Sequence, residues 1–186
     1  HGESTNQGIK ARNKEQRFAL ELLLNDQIRV VTLVGRAGTG KTLLAIAVGL
    51  EKVMEQKSYS RLLITRPVIP LGNDLGFLPG SKEEKLRPWM QPIYDNLEFI
   101  FSANPEPHRI IEHLMDRGIL EMEALAYIRG RSIPRQFIIC DEAQNLTPHM
   151  IKTLITRVGE GTKIVFTGDP EQIDHPYLDA SSNGLT

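Results

Sequence analysis

The stretch RVVTLVGRAGTGKTLLAIAVGL, residues 29–50, joins one apolar run to another through a short glycine-rich link. The link reads G-x-x-x-x-G-K-T between a predicted strand and a predicted helix, which is the context that a phosphate-binding P-loop requires. Backbone N–H groups and the helix N-terminus of such a loop surround a β-phosphate. Lys41 is expected to reach the β- and γ-phosphates, and Thr42 to offer its hydroxyl to Mg²⁺. A plain glycine turn is the weaker alternative, because Lys and Thr both follow the last glycine. The candidate nucleotide-binding residues here are Gly35, Arg36, Ala37, Gly38, Thr39, Gly40, Lys41 and Thr42.

A second motif, FIICDEAQN at residues 137–145, places two carboxylates directly after an apolar run. Adjacent carboxylates at the end of a buried strand repel each other and are costly to desolvate, so we expect a cation or a hydrolytic reaction to use them. Near a P-loop, Asp141 could hold Mg²⁺ through water, and Glu142 could accept the proton of an attacking water. This favours hydrolysis over transfer of phosphate to another acceptor. The alternative is a solvated acidic cap on the following helix.

Two further segments add candidate nucleotide contacts. In VFTGDPEQID, residues 165–174, a predicted strand ends in polar residues, where Asp169 and Gln172 could sense a γ-phosphate. Taken alone, Gly-Asp-Pro is ordinary turn chemistry. Gln16 lies on the predicted amphipathic helix NKEQRFALELL, residues 13–23, where its amide could pair with an adenine edge. A surface glutamine on that helix is an equal alternative.

The pattern around these motifs predicts an α/β domain with a mostly parallel sheet. Short apolar segments at residues 27–35, 60–66, 118–125, 135–141 and 162–169 are typical of strands in a covered sheet. Helical periodicity at residues 41–56 and 147–161 alternates with them, and Thr147 is predicted as an N-cap followed by Pro148 at the first helical position. Ligands of such sheets bind beyond the carboxyl ends of the strands.

Frequent prolines and glycines in residues 67–107 predict a long loop, either functional or disordered. Trp89 and Tyr94 fall within it. They could stack on bases, but anchoring of the loop to the core is the expected role. His149 is expected at the surface, since no second histidine lies at metal-ligand spacing.

The length, composition and cysteine count favour one globular domain in a reducing compartment. The 186 residues are 40% hydrophobic and carry a net charge of −1. This charge argues against a surface that binds nucleic acid throughout, but it leaves room for a local basic groove. A single cysteine, Cys140, allows no disulfide framework within the chain and fits the cytoplasm. No stretch reaches the roughly 20 apolar residues of a membrane span, and the polar start does not read as a signal peptide.

Together, Gln16 and the motifs GRAGTGKT, TRP, DEAQN and GDPEQ resemble those of the first RecA-like domain of superfamily 1 helicases. Closer still, TRPVIPLGNDLGFLPGSKEEKLRPWMQPIYDNL and YIRGRS resemble the PhoH family of P-loop ATPases over nearly the whole chain. The resemblance implies a RecA-like sheet with helices on both faces and a sensor strand between the P-loop and acidic strands. It also implies ATP and Mg²⁺ as cofactors. The implied roles are Lys41 and Thr42 for phosphate and Mg²⁺, Asp141 for Mg²⁺, Glu142 as base, Gln172 as γ-phosphate sensor and Gln16 for adenine.

The ending QIDHPYLDASSNGL resembles the branch in which a PhoH domain follows an N-terminal PIN ribonuclease domain. No PIN carboxylate cluster precedes Gln16, so residues 1–186 are expected to be the ATPase domain alone. The family pattern continues with a further strand and helix that contain an arginine, whereas this sequence stops at Thr186.

Three arginines are candidate contacts to single-stranded RNA, because a guanidinium binds two phosphate oxygens at once. These are Arg66, Arg129 and Arg131. Ion pairs with carboxylates of this chain are the alternative.

The leading interpretation is a Mg²⁺-dependent ATPase that powers RNA translocation, unwinding or remodelling, coupled to a fused PIN ribonuclease domain. The alternative is a nucleotide-switched oligomerisation module without helicase activity. A small-molecule kinase ranks below both. Because one RecA-like domain forms only one wall of a nucleotide pocket, we expect a homo-oligomeric ring, hexameric by analogy with RecA-like motors.

Overall fold

A computed structural model describes residues 14–36, 38–67, 82–128 and 134–170 of the chain. Its strands are β1 (Val30–Val34), β2 (Arg61–Arg66), β3 (Leu120–Ala124), β4 (Gln136–Cys140) and β5 (Lys163–Gly168). Its α-helices are α1 (Lys14–Leu24), α2 (Lys41–Leu50), α3 (Lys82–Ile100), α4 (Pro107–Asp116), α5 (Leu125–Ile128) and α6 (Pro148–Arg157). A π-helical turn, Glu51–Glu55, extends α2, and a 3₁₀ turn, Ala143–Asn145, follows β4.

The five strands form one parallel sheet in the order β1-β5-β4-β2-β3. Strand β1 leads into the glycine-rich segment, β4 ends before the acidic pair, and β5 lies between them. This confirms both the predicted parallel sheet and the predicted place of the sensor strand. It also brings the P-loop, the acidic pair and the Gly-Asp-Pro turn to one edge of the sheet, because parallel strands all end at the same side.

Helices cover both faces of the sheet, as predicted. Alternate residues of β4 point to opposite faces, so Phe137 and Ile139 join a core with α1 to α4. Ile138 and Cys140 join a second core with α5 and α6. The helix α6 begins as expected, since the Thr147 side chain accepts a hydrogen bond from Met150 N at 3.1 Å.

Close packing seats the P-loop helix on the sheet. Gly49 of α2 lies so near the strands that a Cβ atom there would stand 2.8 Å from Leu62 Cδ1. The approach of Phe137 is nearly as close, at 3.1 Å from the same Cβ position. A side chain at Gly49 would push α2 outward and displace the loop that precedes it.

The prediction of a long loop over residues 67–107 is wrong for its second half. Helix α3 spans Lys82–Ile100 and includes Pro88 and Pro92, and α4 starts at Pro107. The prolines were taken as a sign of a loop, although the spacing of apolar residues in α3 is that of a buried helix. Its buried residues are Leu86, Met90, Ile93, Leu97 and Ile100. Residues 68–81 lie outside the part of the chain that the structure describes.

Trp89 and Tyr94 therefore lie on a helix, and both pack against apolar neighbours as expected. Trp89 packs against the small cluster of Leu86 and Ala124, and Tyr94 packs against the main core. The Arg87 guanidinium lies over the Tyr94 ring, 4.1 Å from its centroid, in a cation–π contact.

A buried lysine of β5 fastens the end of α1 to the sheet. The ammonium group of Lys163 donates to the backbone carbonyls of Leu22, Leu23 and Asn25 at 2.7, 2.9 and 2.8 Å. Burial lowers the pKa of Lys163 to about 8, against an opposing effect of Asp26. Carbonyls in the last turn of a helix lack the usual helical partner, so Lys163 acts as the C-terminal cap of α1 at Leu22 and Leu23.

Candidate functional site

The glycine-rich segment adopts a backbone that only glycine takes up without strain. Gly38 and Gly40 have φ values of 84° and 81°, and Gly40 is the N-cap of α2. Gly35 N donates to Gly168 O at 3.2 Å, which joins the start of the loop to the end of β5. The loop therefore turns directly into the N-terminus of α2, a geometry that favours phosphate.

The side chains of Lys41 and Thr39 form hydrogen bonds with the backbone of the loop itself. Both the Lys41 ammonium group and the Thr39 hydroxyl donate to Arg36 O, at 3.2 and 2.9 Å. The ammonium group thus lies across the loop and lines the cavity beside it, with Gly38 and Gly40. That Lys41 binds the β- and γ-phosphates stays a prediction. Ala37 falls outside the described residues.

The two predicted Mg²⁺ residues meet, together with one that the sequence did not indicate. Asp141 Oδ1 accepts hydrogen bonds from the hydroxyls of Thr42 and Thr167, at 2.9 and 2.7 Å. The two hydroxyl oxygens are 3.4 Å apart. Hard oxygen donors of this kind suit Mg²⁺, which proteins hold through one or two carboxylates and the phosphates of the substrate. Thr167 could have been found only from the pairing of Cys140 with Phe166, which makes the next residues of β4 and β5 neighbours.

Glu142 is held in an unusual conformation beside this cluster. Its φ of 57° lies in the left-handed region, which costs a residue other than glycine about 1–3 kcal/mol and is found mainly at functional sites. Gln144 donates to Glu142 Oε2 at 2.5 Å, while its own Oε1 accepts from Asp169 N at 3.1 Å. Gln144 is 1% exposed. It therefore links the predicted base to the predicted sensor turn, a role that the motif DEAQN did not indicate.

Arg66 also lies in this site, where it makes the ion pairs with carboxylates of this chain that were the alternative to RNA contact. Its Nε is 3.3 Å from Asp141 Oδ2, and its Nη2 is 3.2 Å from Glu142 Oε1. Nη1 donates to the backbone carbonyl of Trp89 in α3. The carboxyl end of β2 brings Arg66 beside the acidic pair of β4, and two adjacent carboxylates attract the cation inward. Whether Arg66 contacts RNA stays a prediction.

A cavity of about 370 Å³ opens over these groups. It is bounded by the P-loop, by Asp141, Glu142 and Asp169, and by Pro92 and Asn96 of α3. The sequence did not indicate Pro92 or Asn96, because their segment was taken for a loop. Asp169 is 6% exposed and lines the cavity, as its predicted role requires.

A neighbouring cleft of about 430 Å³ lies between α1, β1 and the P-loop. Gln16 lines it and donates to Thr39 O at 3.1 Å, so the predicted adenine-reading residue touches the P-loop. Phe18, 63% exposed, and Val34 line the same cleft and present apolar surface. The cleft thus places an amide beside apolar side chains, which suits a nucleobase.

Three predicted site residues, Gln172, Arg129 and Arg131, lie outside the described ranges and stay predictions. His149 is exposed, as expected. Burial raises the pKa of the Cys140 thiol, so this cysteine is not a reactive thiolate. Within the described ranges, no helix combines the length and the apolar character needed to cross a membrane.

The sequence and structure were compared with known proteins. The profile of the family described as PhoH-like protein matches residues 8–186. "Protein PhoH2" of Bacillus subtilis (strain 168) is 61% identical over 96% of this chain and 40% of its own length. A "PhoH-like protein" of Synechocystis sp. is 41% identical over 93% of this chain and 50% of its own length. The chain thus spans half or less of these relatives. The Sulfolobus solfataricus SWI2/SNF2 ATPase core in complex with dsDNA aligns at a TM-score of 0.48 and 18% identity, over 86% of this chain and 32% of that one.

Proposed function

Because the chain belongs to the PhoH-like protein family, we propose that its site binds ATP with Mg²⁺ and hydrolyses it. One observation carries the proposal: the phosphate-binding lysine, the hydroxyl–carboxylate cluster and a second carboxylate line a single cavity of about 370 Å³. Such a combination supports transfer of a phosphoryl group to water. The adjoining cleft at Gln16 supports adenine as the base.

Each side chain has a distinct task in this reaction. Lys41 and the P-loop N–H groups would hold the β- and γ-phosphates, and Thr42 and Asp141 would hold the metal ion. Bound Mg²⁺ supplies positive charge to the phosphate oxygens. Glu142 accepts the proton of the attacking water, while Gln144 fixes the carboxylate through Oε2. Asp169, whose N–H is bonded to Gln144, can report the γ-phosphate to the same group.

Arg66 must change its contacts before this reaction proceeds. It pairs with both carboxylates, and its guanidinium occupies Glu142 Oε1, one of the two oxygens that could accept from the attacking water. Binding of Mg²⁺ and nucleotide would compete with Arg66 for Asp141. Since Arg66 also bonds to α3 through the Trp89 carbonyl, its release would pass the nucleotide state to that helix.

We further propose that the full-length protein couples ATP hydrolysis to translocation, unwinding or remodelling of single-stranded RNA, next to a fused PIN ribonuclease domain. Residues beyond this chain would supply the PIN domain, and a neighbouring copy would supply the second wall of the nucleotide pocket. Together these features describe a ring of identical subunits, with six as the expected number.

The second candidate, a nucleotide-switched oligomerisation module, is favoured by the Arg66 ion pairs, since a site that neutralises its own carboxylates is suited to a switch. ATP turnover by the full-length protein, measured with and without single-stranded RNA, separates the two. The RNA-driven enzyme requires turnover to rise when RNA is added. Turnover that does not respond to saturating RNA would leave the switch as the better account.

A further inference from the structure

A separate cavity of about 530 Å³ lies at the amino-terminal end of the sheet, away from the nucleotide site. Its walls come from the segments that precede β2 and β4 and from the end of α4. Strand β2 spans six residues between the two ends of the sheet. At a rise of about 3.3 Å per residue, the cavity is about 17 Å from the carboxylate cluster. The two sites share no lining residue.

The cavity combines an apolar floor with a cationic rim. Buried or half-buried apolar side chains form the floor: Val53, Met54, Tyr59, Leu114 and Ile119. Exposed basic side chains form the rim: Lys57, His113, Arg117 and Arg135. Among the described residues, no carboxylate lines the cavity. In the part of the chain that the structure describes, Lys57, Arg117 and Arg135 take part in no ion pair. We call this feature the basic cleft.

Two of the rim cations are held in left-handed backbone conformations. Only three non-glycine residues in the described ranges have positive φ: Lys57 at 54°, Arg135 at 55°, and Glu142 of the nucleotide site. Each such residue costs free energy and persists only where its surroundings fix it. Arg135 O accepts from both N and Oγ of Ser60, at 2.8 and 3.0 Å, and Arg135 N donates to Glu160 O at 3.0 Å. The backbone that carries Arg135 is therefore firmly positioned.

Gly161 leaves room for the aliphatic part of the Arg135 side chain. A Cβ atom on Gly161, whose φ is 75°, would stand 3.3 Å from Arg135 Cγ, closer than side chains normally pack. The turn that includes Gly161 thus leaves room for this arginine to lie against it. The backbone at Arg135 is thus fixed, and the turn beside it leaves room for the arginine side chain.

We propose that the basic cleft binds a nucleoside phosphate, with the base on the apolar floor and the phosphate on Lys57, Arg117 and Arg135. The volume is within the range of small-molecule pockets, and three cations that make no ion pair among the described residues suit a phosphate dianion or diester. The same chemistry occurs in a free nucleotide and in one unit of an RNA strand. Only the RNA source rests on the proposed function.

The test uses the full-length protein and a double variant, Lys57→Gln with Arg117→Gln. Its matched control, Arg109→Gln with Lys152→Gln, removes the same charge from exposed positions on α4 and α6. In the first arm, binding of a labelled 12-nucleotide oligouridylate is measured across a salt series. In the second arm, binding of uridine 3′,5′-bisphosphate is measured by calorimetry with Lys41→Ala in every protein, so that the P-loop does not contribute.

If RNA occupies the basic cleft, the cleft variant lowers the slope of log K against log salt by about 1.4 in magnitude, since each lost phosphate contact removes about 0.7. The control leaves the slope unchanged. If a free nucleotide is the ligand, the bisphosphate binds the parent protein and loses at least about tenfold in affinity in the cleft variant alone, while the RNA slope stays constant. The proposal is overturned if neither arm separates the cleft variant from the control. RNA-stimulated turnover in that case would leave the proposed function intact.

Discussion

Arg66→Gln should destabilise the protein by an amount that depends on Mg²⁺ and nucleotide. Arg66 makes two ion pairs at 3.3 and 3.2 Å, and its side chain is 17% exposed. At an effective dielectric constant of about 20, each contact corresponds to about 5 kcal/mol of Coulomb energy before desolvation is subtracted. Removing one partner of a buried ion pair typically costs about 3–5 kcal/mol. Because the Glu142 side chain is 33% exposed, we expect a net loss of about 2–4 kcal/mol in the free energy of unfolding.

The assay is thermal unfolding of parent and variant, with and without Mg²⁺ and a non-hydrolysable ATP analogue. For a chain of this length, about 2–4 °C per kcal/mol predicts a fall in Tm of about 4–16 °C without ligand. With ligand, the difference between parent and variant should shrink to less than half, because Asp141 would then hold the metal ion and would no longer depend on Arg66 for a partner. The control is Arg61→Gln, which removes the Arg61–Glu121 ion pair of 2.7 Å at the other end of the sheet. Its effect should be the same with and without ligand. An equally ligand-independent effect of Arg66→Gln would refute competition at Asp141.

Three further predictions concern the cluster, the anchor of α1 and the assembly. Thr167→Val should lower the free energy of unfolding by about 1.5–3 kcal/mol, since the charged Asp141 loses a 2.7 Å hydrogen bond, and chemical denaturation measures this. Thr65→Val, whose buried hydroxyl has no hydrogen-bond partner among the described residues, should be close to neutral, and equal losses would contradict the argument. Burial lowers the pKa of Lys163 to about 8, so the native state releases this proton at a lower pH than the unfolded chain does. The free energy of unfolding, relative to that of Lys163→Met, should therefore rise from about pH 8 to pH 10. A difference that falls across this range would show that the pKa is not lowered. The full-length protein should sediment as a ring with a non-hydrolysable ATP analogue, and a strictly monomeric species with full ATPase activity would exclude a pocket shared between copies.

The sequence predicted the features that depend on local order along the chain. The P-loop, the five strands and the Thr147 cap each follow from the spacing of a few adjacent residues, and all were found close to the predicted bounds. The place of β5 between β1 and β4 followed from the family resemblance, and the sheet confirms it. Local sequence patterns therefore predict most of the secondary structure of this domain.

The remaining features depend on pairing across the fold. Thr167 meets Asp141 only because β4 and β5 are neighbours in register, and Arg66 turns inward only because β2 ends beside the same carboxylates. Pro92 and Asn96 were missed because prolines in α3 concealed its apolar spacing. The basic cleft was not visible, since its rim residues are separated by up to 78 positions, from Lys57 to Arg135, and none of them belongs to a motif.

The most direct test of ATP hydrolysis at this site compares Glu142→Gln with Lys41→Ala in the full-length protein. Nucleotide binding and phosphate release are measured on the same samples with Mg²⁺ and single-stranded RNA. We predict that Glu142→Gln binds ATP as the parent does and loses about 10²- to 10⁴-fold in turnover, as expected for removal of a general base. Lys41→Ala should lose binding itself. Parent-like turnover by Glu142→Gln would contradict the assignment of Glu142 as the base, and parent-like binding by Lys41→Ala would contradict the phosphate site.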